Sequence, residues 1–350
     1  MESRKIQTVG GGTYTVSLPK AWADDQGLEA GSVVDVHTHV DGVLVVEARD
    51  PADSLDRVAV RVDDQSPAHL ERTLRAAYAA GVSTVVFEAT GEFTDAQIRR
   101  LESTARTLTG VTVGERTPTR VAVQTLVDAG EVSITQSVRQ LSFVALSMHR
   151  DATAALVADG EPDAVGRDDQ ADRLAAIVDR HFVRALTRLD EVDALGQGRP
   201  ELLDCWTTAR ELERVADHAE RITTTAAAVD HPTADAVDAL IDLAERARAV
   251  VDGAVRGVLD GGEAATARDA LEGRDRVRER ATAIERRHFE ASETDYRLVR
   301  ILDSISETAE HGGNVAEAAL RRAARRDELT GLTLPDGDEG PVDAATEAGE

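Results

Sequence analysis

Ala209-Arg-Glu-Leu-Glu-Arg-Val-Ala-Asp-His-Ala-Glu-Arg-Ile222 reads as one long helix. Leu212, Val215, Ala216, Ala219 and Ile222 recur at steps of three and four, the period of a helix with a single buried stripe. Glu213 and Asp217 stand four apart, so their carboxylates lie one above the other on one helix face. Two such acids repel unless they point into water or a cation lies between them, and hard divalent cations take oxygen ligands of this kind. The pair alone decides little. With 65 acidic residues in 350, chance supplies about a dozen acid pairs at this spacing, most of them on solvated helix faces.

Outward from this helix the text stays helical from about residue 132 to 326. Six helices are predicted, over 132–159, 163–195, 201–230, 233–260, 263–292 and 296–326. The breaks fall at Gly160-Glu-Pro162, Gly196-Gln-Gly-Arg-Pro200, His231-Pro232 and Gly261-Gly262, where glycine and proline stop a helix. Three helices, repeated, predict two antiparallel three-helix bundles. Gly312-Gly313 inside the last helix costs about 1 kcal/mol per glycine against alanine, which predicts close helix packing there. Cys205 is the only cysteine, so there is no disulfide framework or thiolate cluster, and it reads as a small buried residue beside Trp206. Glu285-Arg-Arg-His288 has the spacing of a carboxylate-bridged di-iron motif, but such a site needs two copies and two further Glu residues; only one copy is present.

The opening string has an echo in Ser304-Ile-Ser-Glu-Thr-Ala-Glu-His311-Gly-Gly-Asn314, where Glu310-His311 stands for Asp217-His218. String and echo resemble the signature helix of the PhoU family of phosphate-uptake regulators, and residues 128–326 resemble that family throughout, with repeats at about 128–231 and 232–326. The resemblance implies that acids from the second and third helices of a bundle meet, some members holding metal clusters there. In the first repeat the matching positions are Asp168, Asp169, Asp172, Glu213 and Asp217, implying at most one carboxylate site for a divalent or ferric ion. The alternative is a solvated acidic face. In the second repeat the set decays: Asp275 lies among Arg274, Arg276 and Arg278, Ser306 replaces Glu213, and Glu310 keeps the place of Asp217. His218 and His311 match each other and read as hydrogen-bonded bundle residues before ligands.

Residues 1–50 are strand-like. Lys5-Ile-Gln-Thr-Val9 alternates, Gly10-Gly-Gly12 turns, Tyr14-Thr-Val-Ser-Leu18 alternates again, and Pro19 opens a short helix. Asp41-Gly42 predicts a hairpin between two further strands. Four short strands and one helical turn bury little surface, so the unit should dimerise. Arg4-Lys5-Ile6-Gln7, Gly12-Thr-Tyr14, Ser17-Leu-Pro-Lys20, Gly27-Leu28 and Gly31 resemble the AbrB/MazE/SpoVT DNA-binding domain, a swapped-hairpin dimer. That resemblance implies DNA contact by Arg4, Lys5, Gln7 and Thr8, with Thr13 in the glycine loop and Lys20 at the helix start. Arg4 or Gln7 would read base edges while Lys5 and Thr8 hold phosphates. Lys5 and Lys20 are the only lysines in the chain, and residues 1–22 carry net +2, from Arg4, Lys5 and Lys20 against Glu2. Asp24-Asp25 departs from this pattern, and dimerisation alone is the alternative role.

Pro51 and Asp53 mark a linker. Residues 51–127 then alternate strand and helix, predicting a small α/β module with helices on one face of a sheet; spacer or dimer support is its default role. From Asp327 onward eight acids and no base, with glycine and proline between them, predict a disordered acidic tail. Net charge is −25, and acid excess with almost no lysine resembles proteins of salt-loving archaea. It argues against broad, non-specific nucleic-acid binding by the whole molecule. No apolar run approaches the ~20 residues that span a bilayer, and a cytoplasmic protein is expected. No nucleophile–base pair, phosphate loop or redox cysteine motif appears, so an enzyme is not expected. Together these readings imply a DNA-binding regulator of phosphate homeostasis; the alternative is an adaptor that docks on a phosphate ABC transporter ATPase or a sensor kinase.

Overall fold

The computed structural model describes residues 3–10, 12–40, 42–48, 57–157, 165–229, 233–261, 264–290 and 295–329. The linker at Pro51 and Asp53, the turn residue Asp41, the breaks at Gly160-Glu-Pro162 and His231-Pro232, Gly262, and the tail beyond Leu329 lie outside the described residues. The chain packs as two compact units. One takes residues 1–106, 110–132 and 183–199; the other takes 107–109, 133–182 and the described residues from Pro200 onward.

In the first unit, β1 (Gln7–Val9) pairs antiparallel with β2 (Thr13–Thr15), and β3 (Val34–Thr38) with β4 (Leu44–Ala48). Between the hairpins lies α1 (Lys20–Asp25), which opens after Pro19 as the sequence predicts. Gly42 turns the second hairpin at φ 73°. Of the described residues up to Ala48, only His39 is buried. Four strands and a helical turn have formed with almost no core between them.

The α/β module follows: β5 (Arg57–Val62), α2 (Pro67–Ala79), β6 (Thr84–Ala89), α3 (Asp95–Thr107), β7 (Val111–Thr117) and β8 (Arg120–Thr125). The sheet order is β5-β6-β8-β7, with β5 and β6 parallel across α2 and the other pairings antiparallel. Both helix starts are capped. Ser66 Oγ accepts from His69 N at 3.3 Å, and Thr94 and Gln97 form a reciprocal box, each side chain accepting from the other's backbone N–H. Leu70, Leu74 and Tyr78 on α2 and Ile98, Leu101 and Ala105 on α3 form the buried stripes. Val85, Val86 and Phe87 on β6 and Val121, Ala122 and Val123 on β8 are buried at successive positions. Side chains alternate along a strand, so both faces of the sheet centre are covered, where one covered face was expected. Gly110 ends the α3–β7 turn at φ +67°, and a Cβ there would lie 1.9 Å from Val127 Cγ2, so only glycine fits.

The helix predicted over 163–195 is two helices, α5 (Val165–Thr187) and α6 (Leu189–Leu195). Arg188 between them is extended (φ −119°, ψ 122°), and its guanidinium folds onto Asp190 at 3.2 and 2.7 Å. Arg184 grips buried Glu191 at 2.8 Å and the Gly81 carbonyl at 2.9 Å. Those contacts draw 183–199 into the first unit.

Among its described residues the second unit is mainly helical: α4 (Ile134–Ala154), most of α5, α7 (Arg199–Ala226), α8 (Ala234–Leu259), α9 (Ala264–Glu290) and α10 (Tyr296–Arg325). In the first bundle Arg167 on α5 pairs with Asp151 on α4. Trp206 on α7 stacks on Phe182 of α5 at 4.9 Å and donates to Asp179 at 2.7 Å. Cys205 beside it is buried, and burial pushes its thiol up to about 11. Leu212, Val215, Ala216, Ala219 and Ile222 are all buried, the stripe read from the sequence. In the second bundle α8, α9 and α10 pack closely, and Gly312 lets α10 approach the backbone of Val251. No helix among the described residues is long and apolar enough to cross a membrane.

Candidate functional site

Two places gather the residues singled out by sequence. In the N-terminal hairpin, strand register sorts them. Gln7 faces Thr15, Thr8 faces Tyr14, and Val9 faces Thr13. Partners across a ladder share a face and neighbours along a strand do not. Gln7, Val9, Thr13 and Thr15 therefore lie on one face, and Thr8 lies with Tyr14 on the other. Gln7 and Thr13, both expected to reach DNA, come together; Thr8 does not join them. Arg4 and Lys5 precede β1, Lys20 opens α1, and all three are exposed. Ile6 is 70 % and Tyr14 75 % exposed, apolar surface left uncovered by the described residues of the first forty-eight.

In the first helical bundle, Asp168, Asp169 and Asp172 on α5 and Glu213 and Asp217 on α7 are near enough to repel. Burial and then Asp169 push the Asp168 carboxyl up. Burial, then Asp172 and Asp217, push Glu213 up, against the pull of Arg210. Burial and then Asp168 push Asp217 up, against Arg221 and Arg214. Glu220, absent from the expected set, joins it: Asp168 first, then burial and Asp217, raise its carboxyl. It follows Glu213 by seven residues, two helical turns, which is the signal that could have found it. Acids that raise one another's pKa hold their protons or attract a cation, and oxygen donors of this kind suit a hard divalent or ferric ion.

The second bundle answers the same problem with arginine. Arg278 clamps Glu310 with two bonds of 2.9 and 2.7 Å, and Arg274 holds Asp275 at 3.0 and 2.9 Å. A bidentate guanidinium supplies the positive charge there, in keeping with the decay read from the sequence.

The two expected bundle histidines meet. His218 Nε2 and His311 Nε2 lie 3.3 Å apart, so the sequence echo brings equivalent positions of the two repeats face to face. Glu307 completes a group with them, a donor atom of each residue lying within 4.8 Å of the others'. Sequence reading passed over Glu307; its signal is the four-residue step to His311, which puts both on one face of α10. The Glu-x-x-His residue His288 instead bonds the Asp295 carbonyl at 3.1 Å.

Comparison with known proteins gives two matches. Residues 7–53 match the family described as antidote-toxin recognition MazE, bacterial antitoxin, a span containing both N-terminal hairpins. Residues 138–226 match the PhoU domain, from within α4 to the end of α7. No curated protein matches the chain. The chain thus joins a MazE/AbrB-type segment over residues 7–53 to a PhoU domain over residues 138–226.

Proposed function

We propose that this protein is a DNA-binding regulator of phosphate uptake. In this reading it works as a cytoplasmic homodimer, without catalysis of its own. N-terminal hairpins contact operator DNA, and the PhoU bundle reports phosphate status through metal at the carboxylate set or through contact with another protein. The observation that carries the reading is the two-sided hairpin. Its Tyr14 face lacks a core and calls for a second copy, while its other face carries Gln7, Thr13 and Thr15 around Val9 and continues the strand from Arg4 and Lys5, the basic end of a chain of net charge −25. In this reading Gln7 reads a base edge, Thr13 bonds phosphate, and Arg4, Lys5 and Lys20 hold the backbone. Thr8 is assigned to the dimer face.

The test is fluorescence anisotropy of the full chain on promoter DNA of phosphate-transport genes, in molar KCl and with random DNA as competitor. Promoter-selective binding is expected. It should be lost in Arg4→Ala/Lys5→Ala, weakened about tenfold in Gln7→Ala, as for loss of a good base contact, and little changed in Thr8→Ala. Absence of binding at every salt concentration would remove the regulator reading.

A second reading has its own observation. Phe143 on α4 is 73 % exposed and lines a cleft with Leu146, Arg139, Arg256 and Leu259, between α4 and α8. That face suits an adaptor docking on a transporter ATPase or sensor kinase, and the Phe143→Ala variant would then lose capture of the purified ATPase or kinase while keeping its fold.

A further inference from the structure

His311 Nδ1 lies 2.7 Å from Glu211 Oε2, and Asn314 Nδ2 donates to the same oxygen at 3.0 Å. An ionised carboxylate only accepts, so the His311 proton sits on Nδ1 and the Nε2 lone pair is free to face His218. A carboxylate bonded to the far nitrogen is the support that metal-binding histidines ordinarily have, because it fixes tautomer and ring orientation.

Across the gap, His218 is buried at 8 % exposure, and its Nδ1 has no hydrogen-bond partner among the described residues. The Nε2–Nε2 separation of 3.3 Å has a direct geometric meaning. Two imidazole nitrogens bound at about 2.05 Å to one tetrahedral ion stand about 3.3 Å apart. Ring centroids 5.3 Å apart with planes tilted by 33° suit convergence on a common point. Glu307 brings its carboxylate to the same place and is exposed, which leaves a route from solvent.

We propose that His218, His311 and Glu307 form a site for a single borderline divalent cation of the zinc type, joining α7 of the first repeat to α10 of the second. Two imidazoles and one carboxylate select such an ion over magnesium or calcium, and a water fills the fourth position. Glu211 is its positioning residue, acting through His311. The site is separate in residues and chemistry from the carboxylate set on α5 and α7, and it stands whether or not the protein binds DNA.

The test uses the full chain stripped with chelator and titrated with zinc by calorimetry, with cobalt(II) as spectroscopic reporter. Wild type should take up one equivalent at this site, raise its melting temperature, and show the visible bands of tetrahedral cobalt. Glu307→Gln, at an exposed position, should fold normally and bind zinc at least about tenfold more weakly, and His218→Gln/His311→Gln should lose that equivalent and the bands. Glu211→Gln should weaken zinc by about 10–100-fold and shift the cobalt bands, a change that a merely structural role would not cause. Asp168→Asn, which alters the carboxylate set away from the histidines, should keep the one zinc equivalent and the tetrahedral cobalt bands. Undiminished zinc affinity and unchanged cobalt bands in both the Glu307 and the double histidine variants would overturn the proposal and leave the histidines as a hydrogen-bonded pair. Loss of the bound ion only in the aspartate variant would likewise overturn it and assign the ion to the carboxylate set.

Discussion

His149, fully buried on α4, shows what one residue contributes to the bundle. Arg248 Nη1 lies 3.3 Å from its Nδ1 and 3.1 Å from Thr153 Oγ1. A guanidinium only donates, so the His149 proton sits on Nε2. Burial first, then the charges of Arg248 and His218, push its pKa down to about 3. A depressed folded pKa means that stability is fully present above the unfolded value, near 6.5, and is lost as pH falls toward 3. One such group contributes a slope of up to about 1.4 kcal/mol per pH unit. The carboxylates of the first repeat slope the other way, so the comparison must be between variants. Urea unfolding of wild type and of His149→Gln between pH 6.5 and 4.5 should differ in slope by about one proton. Equal slopes would mean that His149 is not held neutral in the fold. Nothing in its sequence neighbourhood marked this residue: a lone histidine among helix-forming residues reads the same on a solvated face as in a core.

At the level of elements, close packing and crowded charge each make a prediction. A Cβ on Gly312 would lie 2.9 Å from Val250 Cγ1 and 3.0 Å from the Val251 backbone nitrogen, whereas one on Gly313 meets the flexible Arg274 side chain. Overpacking costs about 1–3 kcal/mol and alanine returns about 1 kcal/mol of helix propensity. Gly312→Ala should therefore destabilise by up to about 2 kcal/mol in urea melts, and Gly313→Ala should be neutral or mildly stabilising. Equal effects would place the close approach elsewhere. On α7, Asp217 is raised by burial and by Asp168. A carboxyl raised in the fold lowers stability as pH climbs from its unfolded value through its folded pKa. Asp217→Asn should raise the melting temperature of metal-free protein at pH 7 and shrink the rise that added magnesium or iron causes. A lower melting temperature without metal would show that the crowding is already relieved. The stripe of α7, the Gly312-Gly313 approach and the arginines around Asp275 in the second repeat were all legible, because each is a matter of spacing along one helix. The break at Arg188 was not: Leu189–Leu195 is a good helical sequence, and what parts it from α5 is the long-range hold of Arg184 on Gly81 and Glu191. Glu307 was hidden for the same reason, since its partner His218 lies on another helix.

For the molecule as a whole, assembly is the property on which the DNA reading depends. The first forty-eight residues show Tyr14 at 75 %, Ile6 at 70 %, Val33 at 68 % and Leu44 at 58 % exposure, with a single buried residue among those described. Segments of this size do not hold strands in register without a partner surface, so a second copy should cover the apolar side. The chain carries 65 acids against 40 basic residues, and two copies brought together repel over a Debye length, about 10 Å in 0.1 M salt and about 3 Å at 1 M. Dimerisation should therefore strengthen as KCl rises, while each phosphate contact to DNA weakens because counterions released into concentrated salt gain less entropy. The two trends separate cleanly by experiment. Light scattering of the full chain from 0.1 to 2 M KCl should show a dimer that tightens with salt. Tyr14→Glu, which sets a charge on the covered face, should yield monomers and lose DNA binding together, with the melting of the helical unit unchanged. A Tyr14→Glu protein that stays dimeric would move the interface away from this hairpin, and one that is monomeric yet still binds DNA would show that a single hairpin suffices.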